Sequence, residues 1–348
     1  MFSRKELTYS RIGLTYDDVL LVPRKSDVRS RRDPSLETKL TKTKNLQIPI
    51  ISANMDTVTE SEMAIAMDQL GGLGIIHRFL SVDEQVNEVR KVKNNGAKII
   101  SASIGVNQDF KERTDALVKA GVNLITIDIA HGHSVSMIDT LKFLKDTYPS
   151  VEVIAGNIST PEAAKDLIEA GADALKVGIG PGSMCSTRII TGCGVPQLTA
   201  VAFCSEVADS YDVPVIADGG IKTSGDIVKA LAAGASTIMT GSLLAATIES
   251  PGEIKQGRKL YRGMASKSAQ VSWRGTLPEG MAPEGESTRM PVKGHVRDVV
   301  LELCGGIRSG MSYLNAENLA DVRKKSRFIQ MTNSGFQESK PHGIGFQE

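Results

Sequence analysis

Aromatic residues are scarce in this sequence, 4% of 348, and no long uncharged apolar run occurs. The missing run argues against a membrane span. No basic stripe with interleaved aromatics is present, which argues against sequence-general nucleic-acid binding. Neither charge is in surplus: 41 basic residues face 40 acidic ones, a net charge of +1. Cysteine is rare. Cys185, Cys193, Cys204 and Cys304 form no Cys-x-x-Cys pair, which argues against a zinc site. No secretory leader is recognisable, so a reduced, cytoplasmic protein is expected. The five histidines are His77, His131, His133, His295 and His342. His131 and His133 lack a third histidine at ligand spacing, and are expected beside a ligand rather than on a metal. No Gly-x-Gly-x-x-Gly opens the first unit, where a doubly wound dinucleotide fold would carry it.

What remains is an ordinary globular composition, 41% hydrophobic and 23% charged, with enough apolar residues for a large core. Short β-branched runs alternate with amphipathic stretches. Strands are expected at Pro49–Ser52, Gly74–His77, Ile99–Ser103, Leu124–Asp128, Val151–Ala155, Ala174–Val177, Val213–Ala217 and Thr237–Thr240. Helices are expected at Ser61–Leu70, Val82–Asn94, Phe110–Ala120 and Pro161–Ala170, with another opening at a Ser224 cap. Thr160-Pro161 reads as a cap followed by proline at the first helical position. Gly121 and Gly171 read as helix stops. Eight strand–helix units predict an α/β fold, a (β/α)8 TIM barrel forming one domain over residues 1–348. The first ~45 residues precede the barrel by this count, and are expected to cover its bottom. Arg258–Arg262 reads as a short strand. Gly263–Lys293 lacks period and is rich in proline and glycine, so a mobile flap is expected over 263–293. Residues 329–348 read as a loosely ordered tail.

The chemistry-bearing residues cluster at strand ends, where a barrel builds its site. They are Asn54-Met55-Asp56, His77-Arg78, Asp128 to Gly132, Gly156-Asn157, Asp218-Gly219-Gly220 and Gly241-Ser242. Gly178-Ile179-Gly180-Pro181-Gly182-Ser183-Met184-Cys185-Ser186-Thr187-Arg188 follows a buried strand. Its glycines let the backbone approach a ligand closely. It places a thiol two residues before a hydroxyl, a candidate nucleophile with a proton relay. The turns after strands seven and eight sit where barrels hold phosphate. Asp218, acceptor-only when ionised, suits a ribose diol.

Several of these segments together resemble the IMP dehydrogenase and GMP reductase family over nearly the whole chain. They are Tyr16-Asp17-Asp18-Val19-Leu20-Leu21-Val22-Pro23, Asn54-Met55-Asp56-Thr57-Val58, the Cys185 loop, Pro196-Gln197, Ala217-Asp218-Gly219-Gly220-Ile221 and Tyr261-Arg262-Gly263-Met264. The resemblance implies a purine mononucleotide held by its phosphate, a nicotinamide cofactor and covalent attack by Cys185 on C2 of the purine. It further implies a homotetramer and a monovalent cation, potassium, at Gly180, Gly182 and Cys185. The implied substrate contacts are Ser183, Asp218, Gly219, Gly220, Gly241, Ser242, Tyr261, Gly263, Met264, Ala265, Ser266 and Gly285. The implied cofactor contacts are Asn54, Asp56, His77, Arg78, Ser103, Gly105, Val106, Asp128, Ile129, Ala130 and Gly132.

Between the two branches, the sequence resembles the reductases. Arg78 runs directly into Val82–Asn94, without the regulatory repeats that most dehydrogenases insert there. Ile127 to Ser134, Asn54, Gly180-Pro181-Gly182 and Thr187-Arg188 follow the reductase pattern. The dehydrogenases' water-activating Arg-Tyr pair is missing from the flap, since Arg274 precedes Gly275. Glu284 aligns with the family's flap glutamate, although Met281 stands where the known reductases carry arginine, and Pro283-Glu284-Gly285 is spelled as in the dehydrogenases. The expected activity is NADPH-dependent reduction of GMP to IMP and ammonia, with Cys185, Thr187 and Glu284 catalytic. The alternatives are an insert-free IMP dehydrogenase using NAD and a purine-nucleotide-binding barrel without turnover.

Overall fold

The computed structural model describes residues 1–9, 12–107, 109–276, 279–280 and 282–341. Eight parallel strands close into a barrel. They are β1 (Ile50–Ser52), β2 (Leu73–Ile76), β3 (Ser101–Ile104), β4 (Leu124–Asp128), β5 (Glu152–Ile158), β6 (Ala174–Val177), β7 (Val215–Asp218) and β8 (Thr237–Thr240). Neighbours in sequence are neighbours in the barrel, and β8 closes on β1 with Ile238 opposite Ile50. Every residue of β2, β3, β6 and β8 is buried, because helices cover the outside and side chains fill the inside.

The barrel helices are α1 (Ser61–Gln69), α2 (Val82–Asn94), α3 (Phe110–Ala120), α4 (Val135–Thr147), α5 (Pro161–Glu169), α6 (Gln197–Asp209), α7 (Ser224–Ala232) and α8 (Val296–Tyr313). Local chemistry sets their ends. Ser81 and Glu84 form a capping box on α2. Thr160 caps α5 ahead of Pro161. Gly121 ends α3 in the left-handed region, where a Cβ is disfavoured. The cap of α7 is Thr223 rather than Ser224. Its hydroxyl accepts from the Asp226 N–H, and Asp226 answers as the acidic half of a capping box.

Three expectations need revision. First, β5 runs on to Ile158 and β7 to Asp218, so Asp218 is a ladder residue, while Asn157 sits at a register shift in β5 and is held by backbone bonds to Ile129 and Gly132. Second, the described part of the flap contains regular elements. Beyond β8, β9 (Arg258–Arg262) pairs antiparallel with β10 (Ser287–Pro291), and a helix spans Lys267–Arg274. These elements are short and packed on loops, so the segment shows no period of its own. Third, the terminal segments pair with one another. Val19–Leu21 pairs with Phe328–Gln330, and a short helix follows at Asn333–Glu338. Within the N-terminal segment the hairpin Thr38–Lys39/Asn45–Leu46 covers the bottom, through Thr41 and Thr43 on Glu152 at the start of β5. Thr15 to Asp17 instead climb to the top rim. Among the described residues no helix is long and apolar enough to cross a membrane.

Candidate active site

The C-terminal ends of the strands open into a cavity of about 590 Å³ that contains the Cys185 loop. Gly178 begins this loop with φ +151°, and a Cβ there would lie 2.0 Å from the Asp218 carbonyl oxygen. Only glycine allows β6 and β7 to meet so closely at the point where the chain turns. Cys185 is exposed, and its N–H donates to the Gly182 carbonyl at 3.0 Å.

A relay of three side chains runs from this thiol. Cys185 Sγ donates to Thr187 Oγ1 at 3.1 Å, and Thr187 Oγ1 donates to Glu284 Oε2 at 2.8 Å. Each donor points toward the carboxylate, so a proton leaving the thiol has a continuous path. Backbone contacts hold the relay across the two loops. Ser186 N–H donates to the Glu284 carbonyl at 3.1 Å, and Glu286 N–H to the Met184 carbonyl at 2.8 Å. Gly285 lies between, where a Cβ would meet the Ser266 nitrogen at 3.0 Å and the Met184 oxygen at 3.1 Å.

On the opposite side, Lys176 of β6 reaches up among the ends of β4, β5 and β7. Its Nζ donates to Asp128 Oδ1 at 2.7 Å, to Asp218 Oδ2 at 3.0 Å and to Asn157 Oδ1. Asn157 Nδ2 donates to Asp218 Oδ2 at 2.9 Å and to the Gly178 carbonyl at 2.7 Å. Burial alone would lower the Lys176 pKa and raise that of Asp128. Their mutual attraction outweighs it, so the ammonium is held above its usual range and the Asp128 carboxyl below. Lys176 is the functional residue that sequence reasoning missed. The available signal was a lysine inside an otherwise apolar, doubly buried strand, a position tolerated only with partners.

Most of the expected substrate residues line the cavity: Ser183, Asp218, Gly219, Gly220, Gly241, Ser242, Tyr261, Gly263, Met264 and Ala265. Tyr261 OH lies 3.4 Å from Ser183 Oγ. Ser266 and Gly285 stand behind them in the flap backbone, paired by a bridge. Gly180 and Gly182, expected at the cation, also line the cavity. Of the expected cofactor residues, Asn54, Arg78, Asp128, Ile129 and Ala130 line it.

The others are placed differently. Asp56 pairs with the Arg262 guanidinium at the root of the flap, Nε to Oδ2 at 3.0 Å. His77 is buried between Glu60, 3.2 Å from its Nε2, and the Phe79 N–H, 3.1 Å from its Nδ1. Ser103 holds the Ile76 carbonyl and accepts Gln85 through its own. Gly105 and Val106 form the turn behind Arg78, where a Cβ on Gly105 would lie 3.1 Å from a guanidinium nitrogen. Gly132 donates its N–H to the Asn157 carbonyl. His131 and His133 do not line the cavity either. His133 pairs with Asp166 on α5. His342 and Met281 lie outside the described residues.

Comparison with known proteins places this geometry. The family model described as IMP dehydrogenase / GMP reductase domain matches residues 13–342. The inosine-5'-monophosphate dehydrogenase of Cryptosporidium parvum is 46% identical, covering 95% of each chain. That of Nitrosopumilus maritimus is 36% identical, covering 95% of this chain and 98% of its own. Its alignment runs over 468 positions, so it carries residues that this chain of 348 lacks. Among solved structures, a cysteine-to-alanine variant of GMP reductase from Trypanosoma brucei, in complex with guanosine 5'-monophosphate, superposes with a TM-score of 0.92. It is 33% identical, and the match covers 98% of this chain and 100% of that one.

Proposed function

The chain belongs to the IMP dehydrogenase/GMP reductase family, and from that premise we propose that it is a GMP reductase, converting GMP and NADPH to IMP, ammonia and NADP⁺. Oxidoreductase chemistry on a purine mononucleotide with a nicotinamide cofactor is common to the family; the direction and the cofactor are the proposal. One observation carries it. The cysteine has a Thr187–Glu284 proton relay, while the flap sequence holds no Arg-Tyr pair to activate water. A dehydrogenase must hydrolyse its covalent intermediate. A reductase must instead protonate and expel an amine, which this relay suits.

In this reading Cys185 Sγ bonds to C2 of GMP as its proton passes through Thr187 to Glu284. The relay returns a proton to the exocyclic amine, which leaves as ammonia, so a thioimidate remains on Cys185. Bound NADPH supplies the hydride that C2 then accepts. The C2–S bond breaks and IMP is free. Ser183, Gly220, Gly241, Ser242 and Tyr261 hold the phosphate, and Asp218 holds the ribose diol. The remaining polar and apolar lining, Arg78, Asp128, Ile129 and Ala130, fits a nicotinamide nucleoside with its amide and ribose. Gly180, Gly182 and Cys185 offer carbonyl oxygens, the donor type a potassium ion takes.

Glu284→Gln tests the relay. A neutral amide cannot accept the thiol's proton, so single-turnover deamination of GMP slows by roughly 10²-fold or more, the usual weight of a general base. The reverse step, from IMP and NADP⁺, also takes the thiol's proton but delivers none to a leaving amine, so it slows less. Equal slowing in both directions leaves Glu284 no part in protonating the amine. The second reading, an IMP dehydrogenase without regulatory repeats, is favoured by the dehydrogenase names of the curated relatives. It requires XMP to form from IMP and NAD⁺.

A further inference from the structure

We propose that Lys176 couples the two substrate half-sites, holding Asp218 at the mononucleotide end and Asp128 at the dinucleotide end on one ammonium. This rests on the reading that Asp218 meets the ribose of the mononucleotide and Asp128 the nicotinamide end of the cofactor. A lysine ammonium has three protons to donate, and three acceptors take them: Asp128, Asp218 and Asn157. None is left over for a ligand. Lys176 is therefore a positioning residue, and its side chain is only 2% exposed where each aspartate is 20% exposed.

The bridge is continuous. Asp218 uses Oδ2 for both Lys176 and Asn157, and Asp128 uses Oδ1 for Lys176. The second oxygen of Asp218 is thus the one presented to a ribose hydroxyl. A hydroxyl bound there immobilises Asp218, and through the shared Lys176 ammonium it immobilises Asp128 as well. The ligand that arrives second then meets a carboxylate already ordered, so each nucleotide strengthens the other. The effect is reciprocal by linkage. Asn157 extends the same bridge to the Gly178 carbonyl, the first residue of the cysteine loop.

The test uses the full chain carrying Cys185→Ala, which prevents turnover. Calorimetry gives the Kd of GMP alone, of NADPH alone and of each in the presence of the other. With Lys176 intact, GMP tightens NADPH binding. Lys176→Met reduces that factor by about fivefold or more, the low end of ordinary coupling energies. Lys176→Arg restores part of it, because a guanidinium can still span two carboxylates. Coupling unchanged in Lys176→Met, with GMP binding retained, overturns the proposal. If Lys176→Met fails to fold, Asp128→Ala decides in its place, since it removes the acceptor at one arm of the bridge while Asp218 and Asn157 still hold the ammonium, and the quantity read is the factor by which GMP tightens NADPH binding. GMP failing to bind the unsubstituted Lys176 protein would sink the functional reading itself, a separate outcome from loss of coupling.

Discussion

At Cys185 the thiol meets a hydroxyl, and only through that hydroxyl a carboxylate. Cys185→Ala removes the nucleophile and leaves the glycine turns that meet the phosphate. Turnover should fall by roughly 10³-fold or more, while the Kd for GMP changes little. Activity retained above a few per cent of wild type excludes the covalent route. Cys204 and Cys304 cannot stand in. Both are buried, and burial pushes the Cys304 thiol up to about 11 and Cys204 higher still. The residues of the relay were legible in sequence because two lie in one loop and the third matched a known motif. Lys176 was not, since its partners come from three other strands and no spacing in the sequence brings them together.

At the scale of elements, the flap is tied to the barrel rim at two points. Arg262 clamps its root to Asp56 after β1, and Trp273 packs edge-on against Phe79 after β2, ring centroids 5.8 Å apart. We expect this contact to open and close as ligands come and go. Trp273 is the one tryptophan of the chain, so its fluorescence reports on the flap alone. GMP with NADPH should shift that emission and slow proteolysis after Arg274. Emission and cutting that ignore both ligands remove the lid role. The barrel strands were legible because each is a short apolar run between turn residues, and β4, β6 and β8 begin and end where the pattern places them. The flap's hairpin and helix were not. The hairpin is held by its own pairing, the helix by Arg262 and Phe79, and the stretch between them by backbone contacts of Glu284 and Glu286 with the Cys185 loop, none of which leaves a periodic trace.

Over the whole molecule, chemistry and stability occupy opposite ends of the barrel. The bottom is closed by Glu152, whose carboxylate takes Lys44 at 2.9 Å, the Thr41 hydroxyl at 2.8 Å and the Thr43 N–H at 3.0 Å. Burial raises its pKa, but these donors outweigh burial and hold it below the ordinary value. A depressed carboxyl stabilises above its unfolded-state pKa of about 4.3 and loses that contribution as pH falls through the folded-state value. Glu152→Ala should cost about 1–3 kcal/mol at neutral pH by leaving these donors without a partner. That difference should shrink in acid, and kcat should not change. A variant with normal melting and impaired catalysis would contradict this division between the two ends.

The reaction itself is the most direct test. Protein is mixed with GMP and NADPH, then separately with IMP and NAD⁺, and absorbance of the reduced cofactor is followed while the purine products are identified. A GMP reductase removes NADPH absorbance, forms IMP and ammonia in equal amounts, and yields no substantial XMP from IMP. XMP forming at a substantial rate, with GMP left untouched by NADPH, would contradict this reading and make the protein an IMP dehydrogenase.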